Sequence, residues 1–219
     1  MASVSENSRR LFFALDALQK VLDDSGCRAP LMTVTAGASP SRVTFLKTYV
    51  KSAGEQIYCL LIRDQGIFAS ATGDQAATVV FEKPGYIYDI LSGTELGYGS
   101  RLDVTLTDYT MRALAVLPYR VRRVTAELPA TANPGADVKI HLSVSAEGGK
   151  PGLHVFRVDV TDPNGKLNLS YSQNAVAPAG EAEIALPFAF NDPAGDWTVR
   201  VRDVATGTAV TKTIKLAGK

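Results

Sequence analysis

From Val43 onward the chain is written in period two, and that pattern limits it to sheets laid over a core. Residues 43–50, 56–63, 77–82, 86–91, 101–107 and 111–117 are strand-length runs rich in β-branched and aromatic side chains, divided by clusters of Gly, Pro, Ser and Asp at hairpin intervals. In the run 101–107, Leu102, Val104 and Leu106 alternate with Asp103, Thr105 and Thr107, as a half-buried strand requires. The run 111–117 is apolar at nearly every position, which predicts a central strand covered on both faces.

Pro118 closes this series, and the chain passes through Tyr119 and Arg120 into a second one with no flexible Gly/Ser linker. Val138, Ile140, Leu142 and Val144 share one parity; so do Phe156, Val158 and Val160, then Ile184, Leu186, Phe188 and Phe190, then Trp197, Val199 and Val201. Turn chemistry at 162–165, 191–195 and 203–207 separates them. About seven short strands in about 100 residues is the pattern of an immunoglobulin-like sandwich. A length of 219 residues suits two such domains, and 46% apolar with 21% charged residues is the composition of a folded chain.

Ahead of the strands, Leu11, Leu15, Leu18 and Leu22 recur at helical spacing with Phe12 beside them. Ser8 or Asn7 supplies a cap at one end and Gly26 a stop at the other, so a helix is expected over 8–25, with its Leu face on the first β domain. The fold expected is all-β: an N-terminal helix in residues 1–27, then two β-sandwiches in tandem at 28–119 and 120–219. The helix is also the expected route to a homo-oligomer, should its face not be covered within one chain.

With 23 basic and 22 acidic side chains the formal charge is +1, which gives no field to gather nucleic acid or an acidic membrane. Residues 11–22 are interrupted by Asp16, Gln19 and Lys20 and lack a small-residue cleavage site, so neither a signal peptide nor a membrane span is read there. Cys27 and Cys59 are read as two buried thiols, with a disulfide as the alternative.

The candidate sites point to no catalysis. Asp89, Asp103 and Asp108 lie by strand ends and turns, where Asp bonds local backbone. His141 falls on an outward parity, and His154 shares the inward parity of Phe156 as a partly buried edge residue; neither has metal-ligand spacing. The turns 162–165 and 192–196 hold the oxygens nearest to a calcium loop but are explained as turns. Trp197 belongs to a core by parity. Tyr98, between Gly97 and Gly99, is the ring placed for exposure and the candidate carbohydrate contact. No catalytic, cofactor-binding or metal residue is assigned, and no cofactor is expected.

Two resemblances add to this. Residues 55–64, 88–97, 102–106 and 113–118, with Asp89-Ile-Leu-Ser-Gly93 leading into a hairpin and an apolar run ending at Pro118, resemble the C-terminal antiparallel β domain of β-galactosidase-like and amylase-like glycoside hydrolases. Residues 134–138, 160–165 and 195–203, with a Gly-x-Trp step opening a strand, are similar to fibronectin-III-like and macroglobulin-like extracellular modules. The first resemblance implies a non-catalytic C-terminal accessory region of a larger bacterial glycoside-hydrolase-like protein, because the catalytic carboxylates of those enzymes sit on a barrel for which this chain has no room. Its partner would be the catalytic domain of the parent or carbohydrate, and its place extracellular or periplasmic. A self-standing carbohydrate-binding module and an extracellular adhesion or assembly module are the alternatives.

Overall fold

The computed structural model describes residues 30–37, 43, 45–64, 73–107 and 109–218, and every regular element among them is a strand. The first six are β1 (Met32–Thr35), β2 (Leu46–Ala53), β3 (Gln56–Arg63), β4 (Gln75–Asp89), β5 (Thr94–Leu106) and β6 (Met111–Leu117). They form one sheet in the order β1-β4-β6-β3-β2, with β5 on the other side of β4.

β4 fuses two of the runs read from the sequence. Lys83-Pro84-Gly85 looks like a turn, yet the strand continues through it as an irregularity: between Val80 and Gly85 the register shifts, five positions of β4 advancing against two of β5. A Cβ on Gly85 would stand 2.7 Å from the Leu117 carbonyl oxygen, so the close passage of β4 against β6 needs glycine here. The bend lets the first half of β4 pair with β1 and the second half with β6. One sheet thereby curls around a core of Phe81, Ile87, Leu61, Leu106, Leu114 and Val116.

The remaining strands are β7 (Arg120–Glu127), β8 (Thr131–Ala132), β9 (Asp137–Glu147), β10 (His154–Thr161), β11 (Gln173–Ala177), β12 (Glu181–Pro187), β13 (Gly195–Asp203) and β14 (Ala209–Leu216). A three-stranded sheet β12-β9-β7 faces a five-stranded sheet β11-β10-β13-β14-β8, with β8 parallel to β14. This is an immunoglobulin-like sandwich. Trp197 is buried between its sheets with Phe188 at 5.2 Å and Tyr171 at 5.7 Å, and its indole N–H donates to the Pro193 carbonyl at 3.0 Å.

The expected fold class needs two corrections. No helix occurs among the described residues, and residues 8–25 lie outside them, so the α-helix laid on the first β domain is withdrawn. Leucines at helical spacing are a local signal, whereas helices in proteins owe most of their stability to the surface that covers them. The first unit, moreover, is a single curled sheet and not a two-sheet sandwich, because the strands expected at 77–82 and 86–91 are one bent strand. Cys59 is a free buried thiol, pushed up to about 11 by burial, and Cys27 lies outside the described residues.

Removing the indole by Trp197→Ala is expected to destabilise the protein by about 3 to 5 kcal/mol, the usual cost of emptying a core aromatic site. Denaturant unfolding followed by circular dichroism reads this directly; a loss under about 1 kcal/mol would show that the sandwich does not depend on the ring.

Candidate functional site at the junction of the two units

β6 has two buried faces. Leu114 and Val116 enter the core of the curled sheet, while Ala115 and Leu117 belong to the core of the sandwich together with Tyr88 of β4. The two cores therefore lie back to back on β6, and Tyr119, two residues beyond its end, belongs to the core of the sandwich. A polar network is embedded in it.

Its centre is Tyr119, 2% exposed, in the connection between β6 and β7. The Gln56 side-chain amide donates to the Tyr119 hydroxyl oxygen at 2.7 Å, and so does the Gly152 backbone N–H at 2.7 Å. Both lone pairs of that oxygen are then occupied, so its proton points to the remaining neighbour, His154 Nε2 at 2.9 Å. That assignment fixes the imidazole tautomer: Nε2 accepts, and Nδ1–H donates to Asp203 Oδ1 at 2.9 Å. Asp203 Oδ2 accepts from the Thr206 hydroxyl at 2.6 Å and from the Thr206 backbone N–H at 3.1 Å. Gln56 also exchanges hydrogen bonds with Leu153, donating to its carbonyl at 3.1 Å and accepting from its N–H at 2.9 Å, like a strand rung built from a side chain.

Local structure explains each position. His154 opens β10 and Asp203 closes β13, both on the inward parity of their strands, and Phe156 pairs with Asp203 in register. Gln56 opens β3 beside the β2–β3 turn. Backbone meets backbone nearby: Gly93, in the turn between β4 and β5, touches Gly207, in the turn between β13 and β14, both at positive φ. A Cβ on Gly207 would lie 2.4 Å from the Gly93 Cα. Tyr88 adds a further link, its hydroxyl oxygen accepting from the Val121 N–H at 3.3 Å.

Asp203, His154 and Tyr119 line up like the acid, base and hydroxyl of a hydrolytic triad. The electrostatics argue for holding, not reacting. Burial pushes the Tyr119 hydroxyl up to about 12, so it keeps its proton at neutral pH. Every donor and acceptor of the three side chains described above is engaged, and Asp203, His154 and Tyr119 are 0%, 1% and 2% exposed. Such a network fixes the relative placement of three strands and a connection from two units.

The residues singled out in the sequence are dispersed. Tyr98 is 64% exposed on β5 with its ring 4.8 Å from that of Tyr86. Asp89 caps its turn by accepting from the N–H groups of Leu91 and Ser92 and pairs with Arg112. Asp103 accepts from Thr78 at 2.5 Å, which with Arg101 holds its carboxyl below the usual range. Asp108 lies outside the described residues. Asp162 accepts from the N–H groups of Asn164 and Lys166, and Asp192 from the Tyr171 hydroxyl and the Ala189 N–H. His141 is exposed. His154 differs from expectation: it is not a partly buried edge residue but the middle of the network. Among the described residues no group of three or more His, Cys, Asp or Glu could hold a metal ion, and no helix is long and apolar enough to cross a membrane.

No family model matches this sequence, and no curated protein does. Among solved structures, similarity is found to Escherichia coli alpha-2-macroglobulin activated by porcine elastase, at 11% identity and TM-score 0.35, over 75% of this chain and 24% of that one. A Salmonella alpha-2-macroglobulin mutant matches at 12% identity and TM-score 0.34, over 83% and 16%. Superoxide reductase (neelaredoxin) from Ignicoccus hospitalis matches at 10% and TM-score 0.33, over 44% and 82%. None of these three is a glycoside hydrolase, and likenesses this low carry no argument about family or activity.

The network has an alkaline signature. Tyr119 is raised from its ordinary 10.0 to about 12, so the folded state holds the proton more tightly than the unfolded chain. Its contribution is complete below pH 10 and is lost as the pH rises through about 12. Thermal unfolding across that window should show a falling melting temperature. Tyr119→Phe should cost about 1 to 3 kcal/mol at neutral pH, by leaving Gln56, Gly152 and His154 without their partner, and should reduce the alkaline fall by the Tyr119 share, the remainder coming from Tyr58, Tyr88 and Cys59, which burial also raises. An unchanged alkaline slope in the variant would remove Tyr119 from this role.

Proposed function

We propose that the chain is a non-catalytic accessory region in which two domains, at 28–119 and 120–219, act as one rigid support that holds surfaces of a larger protein in fixed relation. The observation that carries this reading is the junction itself: Tyr119, His154, Asp203 and Gln56 are buried and mutually satisfied beside β6, the strand whose two faces enter the two cores. A hinge between domains needs a solvated, weakly packed boundary. The network side chains at this boundary are buried and polar groups on both sides depend on each other, so opening it would strand several buried donors and acceptors. Glycoside-hydrolase parentage, a bacterial source and an extracellular place rest on the sequence resemblances alone.

Two measurements test it. Nuclear magnetic relaxation of backbone amides should give one common tumbling time for both units, and Gly207→Val, which forces a side chain into the Gly93 backbone, should split it into two. Assays against aryl glycosides and aryl esters should show no turnover. Independent tumbling of the native units, or turnover abolished by His154→Ala, would overturn the reading.

A second reading has its own observation. Tyr98 stands exposed against Tyr86, an arrangement that offers a ring face to a sugar. Under this reading the chain binds a soluble oligosaccharide, and Tyr98→Ala weakens binding by about tenfold or more without loss of stability. Calorimetric titration with a panel of oligosaccharides decides it; identical behaviour of the two proteins rejects the site.

A further inference from the structure

The faces that meet at the junction differ in chemistry on their outer sides. β3 turns Tyr58, Leu60 and Ile62 away from the first core, and β6 sets Ala115, Ala113 and Met111 opposite them. Leu60, Ile62 and Ala113 are half-buried, and Met111 is exposed. On the free side of β3, Lys51, Tyr49 and Lys47 complete the rows. This wall is apolar with a lysine-bearing edge.

The sandwich supplies the other wall. Outside its core, Arg157 pairs in register with Arg202 and Asp159 with Arg200, across β10 and β13. Asp159 accepts from Arg157 at 2.8 Å, which leaves three guanidinium groups against one carboxylate in a chain whose overall charge is only +1. Where the walls meet there is a cavity of about 210 Å3 lined by Tyr58, Ile90, Leu153, Val155, Val204 and Ala205. Tyr58 bridges the units at its rim, donating to the Leu153 carbonyl at 3.2 Å.

We propose that this groove seats an amphipathic, acidic peptide segment of a partner protein. Apolar side chains of the segment enter the cavity and lie along Leu60 and Ile62, while its carboxylates face Arg157, Arg200 and Arg202. A helix about 10 Å across that carries apolar and acidic stripes has the required two-sidedness. The inference rests on the rigid-support reading, since the walls keep their relation only while the junction is locked.

Selection from a phage-displayed random peptide library against the full chain, followed by nuclear magnetic titration with the enriched peptides, tests it. Enriched sequences are expected to be net acidic with at least two large apolar residues and to shift the amides of Leu60, Ile62, Val155 and Val204. The double variant Arg200→Glu with Arg202→Glu should keep the native spectrum and weaken binding by about tenfold or more, as loss of a complementary charged rim does. No enrichment, enrichment of basic sequences, or shifts confined to other surfaces would overturn the groove. So would a dimer, seen by sedimentation, whose interface maps to these residues, because the occupant would then be a second copy. Relaxation rates on the same samples separate the two readings: independent tumbling defeats the rigid support, whereas common tumbling without groove binding defeats the peptide site alone.

Discussion

Three hydrogen bonds converge on the Tyr119 hydroxyl, and the relation of one β unit to the other depends on them. Two N–H groups, from Gln56 and Gly152, fill its lone pairs; its proton goes to His154, which in turn hands its own to Asp203. The contributions come from β3, from the approach to β10, from the start of β10 and from the end of β13. No one of them can move without unsatisfying another in a region that water does not reach. Buried polar groups contribute little net stability when satisfied and cost a great deal when orphaned, so the network selects one arrangement of the units more than it strengthens either.

Hydrophobic burial supplies the strength. β6 is the shared element, with alternate side chains in two cores, and Tyr88 on β4 joins it in the second. A strand buried on both faces cannot belong to one unit only. The bend at Gly85 matters for the same reason, since it carries the second half of β4 across to β6 and places Tyr88 beside the sandwich. The curled sheet and the sandwich are thus stitched by two strands and one polar chain.

The strands and their burial were legible because period two is a local property. Trp197, Val199 and Val201 share a parity, and so do Leu102, Val104 and Leu106, and the structure buries or half-buries each of them. Lys83-Pro84-Gly85 misled because Pro and Gly mark irregular backbone without saying whether the chain reverses or bulges; the answer lies in how closely Leu117 passes. The leucine stripe at 11–22 is a local periodicity, which does not say what surface would cover a helix, and it lies outside the described residues. For the network, the signal was present and faint: His154 and Asp203 are polar residues on inward parities at the ends of strands, a mismatch with the pattern around them. Tyr119 and Gln56 carried no such mark, because their partners lie 35 and 97 positions away in the chain. Tyr98 was legible as an exposed ring, being flanked by two glycines in a hairpin.

The contact between Gly93 and Gly207 bears on how this architecture can vary. Hairpin turns on a protein surface are ordinarily where chain length drifts, where tags are tolerated and where a chain can be reopened to make new termini. Here the two turns touch main chain to main chain, each occupying the space in which the other would grow. Neither is free to lengthen alone. Insertions and fusion points must be sought elsewhere, as at Gly148 or Gly165, where an added Cβ meets nothing within 4 Å. Two turns distant in sequence are thereby bound to change together or not at all.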